Sequence, residues 1–184
     1  MPEKGVFWEG ISEGIAEKLE GIIEFIPLLG SYLRRENDRE VDKLIREHIA
    51  ERFDSLKKSL MKVMEAGAES GKLEGLDKLD RYSRRLDKLR DTVKFAAHGY
   101  SGLFDRIKVR DEELEALFSY DLQMLTKIEE TDKRLSAIDK VLGNEAKLKG
   151  EINALADFIS EMETIVQDRK YAVTKGGQFQ GDEA

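Results

Sequence analysis

The chain has 184 residues, a formal net charge of -7 and 38% charged residues of both signs. That length makes one domain with room for an appendage and buries a core without staples, while the acidic balance excludes a general nucleic-acid binder, which needs a basic footprint to displace counterions. With no cysteine, a disulfide framework, a thiolate nucleophile and a Cys-ligated zinc are excluded too.

The first residues lack the basic n-region of a secretory signal, and Pro2 stands where N-myristoylation needs glycine. No run of about 20 apolar residues offers a membrane span. The expectation is a cytoplasmic chain, with the inner face of a membrane as a second setting. From Leu28 onward there is no proline. Proline inside a helix costs about 3 kcal/mol, and apolar residues recur here at three- and four-residue spacing. The pattern predicts an all-α fold: an elongated antiparallel bundle of about four long helices with an additional N-terminal amphipathic helix.

Residues 1–33 form the first segment, apolar and helical in pattern from Val6 to Leu33. Phe7 and Trp8 lead it, and Trp8, Ile11, Ile15, Ile22 and Ile26 share one helical face. Glu9, Glu13, Glu17, Glu20 and Glu24 lie mostly on the other. Pro27 and Gly30 should kink or end this helix. Gly10, Gly14 and Gly21 weaken it by roughly 1 kcal/mol each relative to alanine, so it needs a surface to fold against. Three surfaces are open to Phe7, Trp8, Ile11, Ile15, Ile22 and Ile26: the chain's own bundle, a partner's groove, or a membrane interface. Six glutamates against two lysines in residues 3–33 set anionic lipid against the third.

Residues 34–173 should be the bundle. A second helix is predicted from about Glu36 to Ala66, capped by Asn37 or Asp38, with Asp42/Arg46 and Asp54/Lys58 in the favourable i, i+4 order. Gly67, Gly71 and Gly75 mark a turn. A third helix follows from about Leu76 to Ala97, giving an antiparallel hairpin. It is locally basic, and Arg81, Arg84, Arg85 and Lys88 form a candidate basic face, solvated through pairs such as Asp77/Arg81 and Asp80/Arg84 or set against an acidic partner. His98 to Asp105 breaks the pattern, and Tyr100, Leu103 and Phe104 there make a candidate partner-contact turn. Asp111 should cap a fourth helix running to Leu142, with Gly143-Asn144 as its stop. A fifth runs from about Glu145 to Ala172, and residues 174–184 read as a disordered tail.

Four patterns brush against known chemistry. Gly67 to Leu73 has three residues between its glycines where a P-loop has four, and Leu73 where the P-loop places Ser or Thr; it reads as a hairpin turn. Gly99-Tyr100-Ser101-Gly102 is one residue short of a nucleophile elbow and has no sheet to sit on. Gly176-Gly177-Gln178 matches the tripeptide of peptide-release factors, but in a stretch that reads as tail. Diiron bundles carry Glu-x-x-His, whereas His48 and His98 follow Ile45 and Phe95 at that spacing. Asp121 and Asp132 fall near the apolar stripe of the fourth helix, and a buried carboxylate there needs a partner such as an arginine, with register control expected ahead of metal binding.

No catalytic, cofactor or metal residue is assigned, and no small-molecule substrate is evident. The order of elements resembles, in architecture alone, the membrane-remodelling hairpin proteins of the phage-shock and ESCRT-III kind. The expectation is a non-enzymatic helical interaction or scaffold protein that associates with itself or another helical protein. The alternative is a peripheral membrane protein anchored by its N-terminal helix.

Overall fold

The computed structural model describes residues 11–33, 38–71, 75–96, 111–141 and 144–178. Among them the chain is all helical: α1 (Glu13–Phe25), α2 (Leu29–Tyr32), α3 (Asp38–Glu69), α4 (Leu76–Lys94), α5 (Asp111–Ile138), a 3-10 turn (Asp139–Val141) and α6 (Glu145–Gln178). The 32 residues of α3 span about 48 Å at 1.5 Å per residue, so the bundle is elongated as expected. No helix among the described residues is long and apolar enough to cross a membrane.

Helix ends follow local chemistry. Ser12 accepts from the Ile15 amide at 3.3 Å and starts α1. Pro27, with no N–H to give a further turn, follows the Ile26 cap that ends it. Gly71 and Gly75 take φ of +68° and +87°, the left-handed values that glycine adopts without strain, and they flank the α3–α4 turn. Asn144, read from sequence as part of a stop, instead starts α6 by accepting from the Lys147 amide at 3.0 Å. The Asn37 or Asp38 cap and Gly143 lie outside the described positions or side chains.

Ion pairs give the helix directions. Lys57 meets Asp87 and Asp54 meets Arg90, so α3 and α4 are antiparallel. Lys127 meets Glu161 and Arg134 meets Glu151, so α5 and α6 are antiparallel. Lys78 bonds Asn153 and Arg85 bonds Ser160, which makes α4 and α6 parallel. The major seams of the four long helices are α3/α4, α4/α6, α6/α5 and α5/α3. Two hairpins therefore lie side by side, and α4 and α5, consecutive in the chain, stand at diagonal corners. One continuous core fills the middle, with Phe53, Leu56, Leu86, Phe118, Ile128, Leu155 and Met162 within it.

The N-terminal helix packs on this bundle, chiefly along α5. Residues 26–33 then turn back, with Leu29 and Leu33 buried as anchors and α2 meeting α3. At the other end, α6 runs on through Gln178. Residues 174–178, read from sequence as disordered tail, are its last turns, and Gly176-Gly177-Gln178 is helical backbone. The rest of that tail, 179–184, lies outside the described residues.

Candidate helix-docking site

The seat of α1 is built from glycine spacing. Gly14 and Gly21 are one heptad apart, and so are the residues they face on α5, Glu115 and Leu122. A Cβ on Gly14 would run into the Glu115 carboxylate, and one on Gly21 would lie 2.8 Å from a Leu122 methyl. Matching offsets along both helices mean that α1 and α5 run parallel. Gly21, which weakens α1 on its own, thus allows it to lie close against Leu122, a role that propensity alone does not reveal; at Gly14 the atoms met are the movable end of Glu115. Between them Ile15, Leu19 and Ile22 reach zero exposure in the common core. Ile11, Ile23, Phe25 and Ile26 pack half-buried at the margin.

This answers where the candidate contact residues go. Ile15 and Ile22, offered from sequence to a partner or a membrane, are spent on the chain's own core, because the α5 face beneath them is apolar and close enough to exclude water. Ile11 and Ile26 are only partly covered. Phe7 and Trp8 lie outside the described residues, as do Tyr100, Leu103 and Phe104. The outer face of α1 carries Glu13, Glu17, Glu20 and Glu24, all exposed.

The attachment of α1 is apolar apart from the Glu115 carboxylate over Gly14. The side-chain hydrogen bonds of residues 12–25 are the Ser12 cap and a Lys18–Glu17 pair at 2.9 Å, both within the segment. No described residue of α1 makes a hydrogen bond or ion pair to the body. The α3/α4, α4/α6 and α5/α6 seams have direct polar ties. The Phe158 ring on α6 is covered by Lys127 at 4.7 Å and Arg134 at 5.1 Å, both from α5.

A second constellation lies in the same end of the bundle. Asp42, Arg46, Asp121 and Arg169 are all buried, with Asp121 at zero exposure. Arg169 donates through Nε to Asp121 Oδ1 at 2.6 Å and through Nη2 to Asp121 Oδ2 at 3.1 Å and to Asp42 Oδ1 at 2.8 Å. Arg46 Nε donates to Asp42 Oδ2 at 2.8 Å, and Arg46 Nη1 to the Lys94 carbonyl at 3.1 Å, at the C-terminal end of α4. Two carboxylates and two guanidiniums balance, and the network ties α3, α4, α5 and α6 together. Burial pushes the Asp121 carboxyl up, Arg169 pulls it back, and Asp42 adds a smaller push upward. Among the described residues no buried side-chain polar atom lacks a partner.

The sequence marks Asp121 as a carboxylate needing a partner such as an arginine, but not that Arg169 supplies it. Asp42/Arg46 was read as an ordinary i, i+4 pair; it is buried because α3 is covered by both α4 and α5. The signal was there in the adjacent runs Val41-Asp42, Ile45-Arg46 and Ile49-Ala50, all buried and repeating on a helical face. Asp54 turns away from Lys58 to Arg90 at 2.8 Å. Asp132 is half-buried and outside the network.

The basic face divides. Arg81 pairs with Asp77 at 2.9 Å and Arg84 with Asp80, as expected. Arg85 is no free surface cation: its Nε and Nη2 each donate to Glu163 at 2.8 Å, and Nη2 also donates to Ser160 Oγ at 2.9 Å. That hydrogen-bonded pair holds the Glu163 carboxyl below its ordinary value, with the field of exposed Lys88 adding to the effect. Among the described residues no three His, Asp or Glu side chains gather as a metal ion would require. Comparison with protein-family models, with curated proteins and with solved structures finds no match.

Proposed function

We propose that the chain is a non-enzymatic helical interaction protein, working through helix–helix association, and that the α5 face under α1 is its helix-accepting seat. The observation that carries this reading is the close approach of Gly21 to Leu122, with Gly14 one heptad away beneath the movable Glu115 carboxylate, joined to an attachment without hydrogen bonds or ion pairs to the body. A seat of this kind selects an incoming helix by shape: small residues one heptad apart, with large aliphatic side chains between them. That is recognition of a helix in a groove, here occupied by the chain's own segment. The buried Asp–Arg network supports the reading in another way, because its carboxylates are committed to guanidiniums that bind the four long helices into a firm platform.

The test uses a labelled peptide of residues 11–26 and the full chain carrying Leu19→Glu, which unseats the resident helix. The reading expects capture of the peptide by that chain, weaker capture by the unmodified chain, and none of a peptide that itself carries Leu19→Glu. Failure of the unseated chain to capture the peptide would sink it.

A further inference from the structure

We infer that the α5 seat takes α1 from a second copy of this chain, so that two copies exchange their N-terminal helices. The inference rests on the seat being a helix acceptor, and it names the partner. The seat fits α1 in shape and in apolar register, because α1 lies in it; the α1 of another copy makes the same contacts. The exchange breaks no described polar bond between α1 and the body; within the hinge it gives up the bond from the Leu29 amide to the Ile26 carbonyl at 2.9 Å. The hinge is short and open: α1 stops at Phe25, Pro27 and Leu28 are exposed, and the chain is anchored again at Leu29, which is 1% exposed beside Leu28 at 72%. Rotation at Ile26–Leu28 swings α1 out and leaves Leu29 and Leu33 in the core. Exchange of an identical element then costs only the hinge change and the entropy of association. A detached α1 has little reason to stay alone, since 13 residues with two glycines are marginal as an isolated helix.

The absence of cysteine makes the experiment clean. Gly14→Cys and Glu115→Cys are made separately in the full chain, and also together as a double variant. The double variant, oxidised while dilute, should close within one chain and shows that the two sites meet. Pooled single variants, concentrated and then oxidised, should yield a 14–115 cross-linked heterodimer exceeding either homodimer several-fold, with a dimer mass in light scattering. If the double variant closes but the pool gives only monomer, or cross-links in random proportion, exchange is overturned while the seat stands. If the double variant does not close, the seat falls with it. If closure is lost only when phosphatidylcholine vesicles are present, α1 goes to lipid and self-exchange is overturned.

Discussion

Two segments from opposite ends of the chain hold the same stretch of α5 by different physics. Near Leu122, α1 is held by apolar contact and close approach alone. At Asp121, α6 is held by the bidentate Arg169 pair in the buried network. Apolar burial is non-directional and scales with area, so it selects by shape and not by paired charges. A buried ion pair is directional, and loss of one partner leaves a charge without solvent or counterion. The α6 seam is therefore the directional one, and the α1 seam is the one the proposed exchange draws on.

The largest effect should come from breaking the frame. Arg169→Met leaves Asp121 buried without its guanidinium and is expected to cost about 3–5 kcal/mol, read from denaturant unfolding. Asp121→Leu added to it should recover much of that loss, since an apolar pair of similar volume needs no counterion. A much smaller cost for the single variant would show that the network is not what holds the end of the bundle.

A smaller effect should appear in the α1 seam. Gly21→Ala gains about 1 kcal/mol of helix propensity but places a methyl against Leu122. In the unmodified chain the gain should be cancelled or reversed; in a Leu122→Ala background it should reappear. Hydrogen exchange of the α1 amides reads this directly, and equal effects in both backgrounds would remove close approach as the reason for the glycine.

The smallest effect concerns the half-exposed Arg85–Glu163 pair on the α4/α6 seam. Its carboxyl has a folded value below its ordinary 4.5, so the pair's contribution is complete above that value and is lost as pH falls through the folded one. Arg85→Met should cost a few tenths of a kcal/mol at neutral pH, given solvent screening. The gap between variant and parent should close on acidification past 4.5. A gap that widens instead would reverse the sign of the pairing.

The helices themselves were legible because three forces coincided: proline was absent, apolar residues kept a helical period, and turn glycines fell between them. The positive φ of Gly71 and Gly75 and the end of α1 at Pro27 follow directly from backbone chemistry. The site was only half legible. Gly14 and Gly21 register in a sequence as weak helix, and their use depends on Glu115 and Leu122, far away in the chain. Asp121 could be recognised as a carboxylate needing a cation, but its choice of Arg169 depends on how α5 and α6 are phased. Arg85 looked like surface charge because i, i+4 arithmetic does not see a neighbouring helix.

The parallel pairing of α1 with α5 also has a consequence in time. The seat for Gly14 and Gly21 is encoded about a hundred residues after them, so at 5–20 residues per second α1 leaves the ribosome roughly 5–20 s before its own seat exists. During that interval the only seat the proposed exchange could use is that of a neighbouring copy on the same message. Under the proposed exchange the two copies would meet at synthesis, before the newer chain has closed on itself.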